Sequence, residues 1–90
     1  EYIYTRNINW MKEADDVIAE VSTPSLGVGY ELRFAEELNK KILCLFCETE
    51  GKSLSAMISG NSKFVVQHYK TLEDSLNLID KFFTENKKPR

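Results

Sequence analysis

The sequence contains few of the residues on which several classes of protein depend. Its 90 residues include two cysteines, one histidine and two prolines, and the formal net charge is −2 with a pI near 5.4. This balance gives no basic excess of the kind that nucleic-acid binding requires. No apolar run approaches the roughly 20 residues that a membrane-spanning helix needs. We therefore expect a cytoplasmic or nuclear protein that binds neither nucleic acid nor membranes.

Cys44 and Cys47 have the C-x-x-C spacing of some redox and metal sites, but their context argues against such a site. Cys44 lies within the apolar run 42–46, which is typical of a buried strand. Strand alternation then places Cys44 and Cys47 on opposite faces of a sheet, which suits neither a redox pair nor a shared metal. His68 has no second imidazole as a partner. We expect two reduced cysteines, no metal and no cofactor.

Hydrophobic periodicity and turn residues predict short strands that alternate with helices. Strands are expected at residues 17–21, 42–46 and 64–67. The expected helices end near residue 13, run from about 29 to 39, form a short helix or turn at 54–58, and follow a cap at Thr71.

The pattern within each element also predicts which side chains are buried. The first strand is apolar on both sides apart from Glu20, as in a sheet that is covered on both faces. In the helix from about residue 29, the residues expected in the core are Leu32, Ala35 and Leu38. The residues expected to face solvent are Glu36, Glu37 and Lys40. The expected apolar stripe of the last helix is Leu72, Leu76, Ile79 and Phe82 or Phe83.

Strands that alternate with helices predict parallel pairing with right-handed crossovers. The expected fold class is α/β, with a Rossmann-like parallel sheet and flanking helices. A doubly wound sheet normally has about five or six strands, which is more than the sequence supplies. We therefore expect residues 1–90 to form the C-terminal half of a single domain, with a flexible basic tail at 86–90.

The segment 14–32 carries the clearest functional signal, because a strand, a small-residue loop and a helix commonly bind anions. Gly27 and Gly29 would let the backbone approach a ligand. Ser25 could cap the helix, donate a hydrogen bond to a phosphate oxygen, or do both. Glu31 is expected in the first helical turn, where it either complements the helix dipole or, kept ionised, attacks an anomeric carbon.

Three blocks of the sequence resemble the 2′-deoxynucleoside 5′-phosphate N-hydrolases of the nucleoside 2-deoxyribosyltransferase superfamily: ADDVIAEVSTPSLGVGYEL, KKILCLF and LSAMI. The likeness extends over about residues 8–83 and covers the second half of the family's domain. It implies that 2′-deoxynucleoside 5′-monophosphates are cleaved to free base and 2-deoxyribose 5-phosphate, without a cofactor. It also implies a homodimer with composite active sites.

The resemblance implies roles for individual residues. Glu31 matches the catalytic glutamate, which attacks C1′ of the sugar and forms a covalent intermediate. Ser25, Gly27 and Gly29 match positions that bind the substrate, and its 5′-phosphate in particular. Asn7 stands where the family has an aspartate implicated in handling the sugar and the departing base.

A second group of matched residues is expected in the partner subunit's site. Ser55 matches a serine that reaches the phosphate there, with Ala56 and Met57 beside it. Deoxyribosyltransferases carry an acid in place of Ser25 and an asparagine in place of Ser55, so the two serines favour a nucleotide hydrolase. Because Asn7 cannot deliver a proton as a carboxylic acid can, a nucleotide-binding module without turnover stays open. A nucleoside deoxyribosyltransferase is the other alternative.

Overall fold

The computed structural model describes residues 1–23, 25–49 and 53–85, so the predicted tail at 86–90 lies outside the described residues. The elements are, in order, α1 (Tyr2–Glu13), β1 (Asp16–Glu20), α2 (Leu26–Glu37), β2 (Lys41–Cys47), α3 (Ala56–Ser59), β3 (Phe64–Tyr69) and α4 (Leu72–Glu85). β2 pairs in parallel with β1 on one side and with β3 on the other. The predicted α/β class, a parallel sheet with flanking helices, is confirmed.

The hydrophobic core lies on both faces of β2. One cluster brings Cys44 of β2 together with Met11 of α1 and Leu32 of α2, and residues of α3 pack against it. The other cluster joins Leu43 to Phe82 of α4. Helices α1 to α3 therefore cover one face of the sheet, and α4 covers the other. Among the described residues, every helix is too short or too polar to cross a membrane.

The expected separation of the two cysteines is confirmed. Cys44 belongs to the cluster beneath α2, whereas Cys47 lies beside Tyr69, which packs against the cluster beneath α4. Both thiols are free.

β1 is less buried than its apolar sequence predicted. Ile18 is 38% exposed, and β1 forms one edge of the described sheet. The reason is the placement of α4, which packs on β2 and β3 and leaves that face of β1 open.

α2 begins earlier than predicted, because Ser25 rather than a residue near Gly29 sets its start. The Oγ atom of Ser25 accepts a hydrogen bond from the Val28 amide at 3.3 Å and is the N-cap. The two glycines therefore lie within the helix and not in a loop before it. The role of Ser25 as a helix cap is confirmed.

α2 also ends earlier than predicted. Leu38 is the C-cap and Asn39 has a positive φ of 57°, a left-handed conformation that asparagine tolerates better than most residues. Leu38 is consequently exposed and does not belong to the core, which corrects the expected stripe.

α4 is capped as predicted, and its expected stripe is confirmed at Ile79 and Phe82 but is wrong at Leu72 and Leu76, which are exposed. Thr71 and Asp74 exchange hydrogen bonds between side chain and backbone, as in a capping box. The buried positions are Ser75 and Phe82, whereas Leu72 is 75% exposed. The Ser75 hydroxyl can be buried because it donates to the Leu72 carbonyl at 2.6 Å.

Candidate functional site

A cavity of about 780 Å³ lies between α2 and α3. Its wall is largely apolar, with Val21 at the end of β1, Val28 and Leu32 on α2, and Ile58 on α3. An apolar concave site with a few placed polar groups is the usual form of a small-molecule site. The polar groups here include four hydroxyl side chains, which are those of Thr23, Ser25, Ser53 and Ser55.

Two of these hydroxyls cap the helices that border the cavity. Ser25 caps α2, and Ser55 caps α3 by accepting a hydrogen bond from the Met57 amide at 3.2 Å. A hydroxyl that accepts such a bond still has its own proton to donate. Both serines can therefore serve as caps and donate to a ligand oxygen in the cavity.

The structure brings four of the predicted site residues to this cavity: Ser25, Gly29, Ser55 and Met57. A Cβ atom built on Gly29 would meet nothing within 4 Å, so the glycine leaves open space at the cavity wall. Gly27 and Ala56 are neighbours of these residues in the chain but are not among the residues that line the cavity.

Glu31 lies on the other flank of α2. It is in the second turn, since the first turn contains no acidic residue, which corrects the predicted position. The helix dipole acts mainly within the first turn, so dipole complementarity does not account for this residue. With about 100° of rotation per residue, Glu31 lies far around the helix from Gly29 and outside the cavity lining. The neighbouring residue Tyr30 contacts Tyr4 of α1, with ring centroids 6.4 Å apart.

Asn7 lies on α1, one turn after Tyr4, and is half-buried. Its side-chain oxygen accepts a hydrogen bond from Arg6 Nε at 3.4 Å. The sequence-predicted residues therefore do not all meet at the cavity, since Asn7 and Glu31 are not among the residues that line it.

Glu36 is a further residue of the cavity wall, and it does not face solvent as predicted. Its side chain is 10% exposed, and its carboxylate accepts hydrogen bonds from Arg33 Nη1 at 2.6 Å and from Asn61 Nδ2 at 2.8 Å. The bonds from Asn61 and Arg33 hold the pKa of the Glu36 carboxyl below its ordinary value. This contact joins α2 to the turn that follows α3. Helical periodicity could not reveal it, because the partner Asn61 is distant in sequence.

A polar cluster that the sequence analysis missed joins the carboxyl ends of the three strands. The Tyr69 hydroxyl donates to Glu20, and the Ser22 amide donates to the same carboxylate at 2.6 Å. The Cys47 amide in turn donates to Ser22 Oγ at 2.6 Å. Glu20, Cys47 and Tyr69 are the last residues of β1, β2 and β3. The sequence could have revealed this cluster, because polar residues at the ends of successive parallel strands are expected to lie close together.

No protein-family model matches the sequence. The chain is 54% identical over 86 residues to a Nematostella vectensis protein named as a candidate 2′-deoxynucleoside 5′-phosphate N-hydrolase, and the match covers 92% of this chain and 58% of that protein. It is 46% identical over 74 residues to the 5-hydroxymethyl-dUMP N-hydrolase of Branchiostoma floridae, with 79% of this chain and 70% of that protein covered.

Among solved structures, the fold is similar to that of the CMP N-glycosidase BcmB of Clostridium botulinum. The TM-score is 0.77 at 26% sequence identity, over 88% of this chain and 72% of that one. The sequence identities, the extent of the matches and the shared fold agree with the motifs read from the sequence. The chain belongs to the family of the 2′-deoxynucleoside 5′-phosphate N-hydrolases.

Proposed function

We propose that this protein hydrolyses the N-glycosidic bond of 2′-deoxynucleoside 5′-monophosphates and releases free base and 2-deoxyribose 5-phosphate. The names of its relatives support this activity, as does the name of the N-glycosidase with the similar fold. The observation that carries the proposal is the Ser25 hydroxyl at the start of α2 on the cavity wall, to which the homodimer proposed below adds the Ser55 hydroxyl of a second copy. Hydroxyl donors suit a phosphate dianion, whereas a carboxylate at the same place would repel it.

Ser25 is the better placed of the two for the phosphate. It stands at the N-terminus of the twelve-residue helix α2, where backbone amides and the helix dipole favour an anion. A bound phosphate there would leave the sugar and base to extend away from the helix start. This arrangement favours a nucleotide over an unphosphorylated nucleoside as the substrate.

Glu31 is the proposed nucleophile. Its carboxylate oxygen forms a bond to C1′ of the sugar while the bond from C1′ to the base nitrogen breaks, and the base departs with the electron pair. Water then adds to C1′, the ester bond breaks, and the carboxylate is restored, so the configuration is retained overall. Asn7 can orient the sugar or the base by hydrogen bonds but cannot supply the proton that the departing base takes up.

The separation of Ser55 and Glu31 within one chain supports a homodimer with composite sites. Within one chain, Ser55 lies in the cavity on the flank opposite to Glu31. A serine that acts on the same substrate as Glu31 is therefore supplied more readily by a second copy. Leu26 and Met57 are 96% and 84% exposed at the cavity, as expected of apolar contacts that a partner would cover. In a two-fold interface, each subunit would both give and receive Ser55.

The nucleophile is tested by Glu31→Gln in the intact protein. Release of free base should fall below detection, while a nucleotide analogue still binds, because the amide keeps the shape of the side chain but cannot attack C1′. Glu37→Gln is the matched control, since Glu37 is an exposed glutamate on the same helix, and it should retain activity. Base release at the wild-type rate in Glu31→Gln would overturn the covalent mechanism.

The shared site is tested by mixing two inactive variants, Glu31→Gln and Ser55→Trp. After subunit exchange, a heterodimer holds both lesions in one site and leaves the other site intact, so part of the activity should return. Exchange proven by mass spectrometry without any recovery would contradict the composite site.

The presence of Asn7 favours a second candidate function, a nucleotide-binding module without turnover. Incubation of the intact protein with a 2′-deoxynucleoside 5′-monophosphate, with and without a competing free base, separates the candidates. Hydrolysis gives free base and sugar phosphate in both reactions, and a transferase gives a new nucleotide only when the second base is present. Binding without any product would identify the module.

A further inference from the structure

We propose that Glu20, Ser22 and Tyr69 form a positioning group that fixes the start of the segment between β1 and α2, and thereby places Ser25 for the substrate's phosphate. The inference rests on the proposed function of Ser25. None of the three residues is proposed to touch the substrate.

The first support is the way in which Ser22 is held. Its amide donates to Glu20 at 2.6 Å, and its Oγ atom accepts from the Cys47 amide at 2.6 Å. The preceding residue, Val21, continues the ladder by donating to the Leu45 carbonyl at 2.9 Å. The chain is therefore fixed through Ser22 and again at Ser25, where the hydroxyl caps α2. Ser22 and Ser25 are three positions apart in the chain, so the group holds the chain close to the start of α2.

The second support is the contact from β3. Tyr69 donates its hydroxyl proton to Glu20, whose carboxylate also accepts from the Ser22 amide, so it joins β3 to β1 across the end of β2. The Tyr69 backbone is itself held, since its carbonyl accepts from the Glu48 amide at 2.8 Å. The bond to Glu20 raises the pKa of the Tyr69 hydroxyl to about 12, so the donor keeps its proton throughout the neutral range.

The third support is the exposure of the group. Glu20 is exposed, and the bonds that it accepts from Tyr69 and from the Ser22 amide are polar contacts at the surface of the described residues. Polar contacts in such a place contribute little to the global free energy of unfolding, which depends mainly on buried apolar surface. A displaced Ser25 hydroxyl would lose its proposed bond to the phosphate, and a hydrogen bond to a charged group contributes more than an exposed polar contact. The expected effect of losing the group is therefore on the substrate and not on the stability of the fold.

Tyr69→Phe is the direct test in the intact protein, because it removes the hydroxyl and keeps the ring. We expect KM for a 2′-deoxynucleoside 5′-monophosphate to rise about tenfold, the loss typical of one hydrogen bond to a charged group. The value of kcat should change less than about twofold, because a positioning loss falls mainly on binding. Tyr2→Phe is the control, since that tyrosine is exposed on α1, and it should leave KM unchanged. Glu20→Ala should have the effect of Tyr69→Phe, and the double variant should be no worse than either, because both remove one linked group.

Hydrogen exchange of the Val28 amide gives a readout that does not need activity. This amide donates to Ser25 Oγ and should exchange faster in Tyr69→Phe than in the wild type or in Tyr2→Phe. If the wild-type protein neither binds nor cleaves the nucleotide, the proposed function fails, yet the exchange rate still tests the positioning of Ser25. Wild-type exchange in Tyr69→Phe would overturn the inference. A lowered melting temperature with unchanged KM would also overturn it, because it would show a purely structural role.

Discussion

Ser25 has two separable roles, as the cap of α2 and as the proposed donor to the phosphate. Aspartate caps a helix about as well as serine, so Ser25→Asp should keep the hydrogen bond from Val28 and change the free energy of unfolding by less than about 0.5 kcal/mol. Ser25→Ala loses the cap and should cost about 1 kcal/mol. The Ser25→Ala protein should therefore be less stable than both the Ser25→Asp protein and the wild type.

The affinity for the monophosphate should rank the two variants in the opposite order, with Ser25→Asp binding more weakly than Ser25→Ala. A carboxylate about 4 Å from one negative charge in a water-like environment costs about 1 kcal/mol, and a phosphate carries nearly two charges. This water-like value applies because Ser25 is exposed. For Ser25→Asp it gives a repulsion of about 2 kcal/mol, or roughly a 30-fold loss of affinity for the monophosphate. Ser25→Ala loses the donor without adding a negative charge and should weaken binding by roughly tenfold.

The measurement uses Glu31→Gln as the background, so that the nucleotide stays intact during the experiment. Urea unfolding gives the stability ranking, and calorimetric titration with the monophosphate and with the unphosphorylated nucleoside gives the two affinities. The proteins with serine, alanine or aspartate at position 25 should all bind the nucleoside almost equally well. Equal affinity of the alanine and aspartate variants for the monophosphate would refute the placement of the phosphate at Ser25. An equal loss for the nucleoside would refute it as well.

Three further predictions concern stability and reactivity. Leu43→Ala should lower the free energy of unfolding by about 2–5 kcal/mol in urea denaturation, because that side chain is completely buried, whereas Leu72→Ala at an exposed site should cost less than about 0.5 kcal/mol. A maleimide at pH 7.5 should label Cys47 and spare Cys44, because burial raises the pKa of the Cys44 thiol to about 11. Equal labelling of the two cysteines, measured by mass spectrometry, would contradict this prediction. The folded state holds the pKa of the Glu36 carboxyl below 4.5. The ionised Glu36 side chain therefore stabilises the fold above pH 4.5, and this contribution declines as the pH falls through the folded pKa. The urea midpoint of Glu36→Gln should therefore change less between pH 6 and 3 than that of the wild type, and identical pH profiles would contradict the prediction.

The sequence predicted those features that depend on neighbouring residues. The run around Cys44 is apolar at consecutive positions, and such a pattern is satisfied only by a strand that is covered on both faces. Ser25 and Thr71 have side-chain oxygens that bond to amides three residues later, so helix caps could be recognised without the fold. The family could be recognised for a similar reason, because the loop and helix-start residues are contiguous in the chain.

Element boundaries and exposed faces were predicted less well, because several local patterns compete. The glycines after Ser25 resemble a loop, but the cap and the packing of Leu32 keep them within α2. α4 carries two overlapping apolar stripes, and the sheet selects the one with Phe82 while Leu72 remains exposed. Phe82 is buried because it packs against Leu43 and Leu45 of β2.

The sequence alone determined which residues could take part in chemistry, because side-chain type and local caps are properties of neighbouring positions. Only the tertiary structure decided how they are grouped. It placed Ser55 beside Ser25 at a cavity and left Glu31 on the other flank of α2. It also brought Tyr69 to Glu20, 49 residues away in the chain. Such pairings arise because parallel strands align their carboxyl ends at one edge, which no local pattern records.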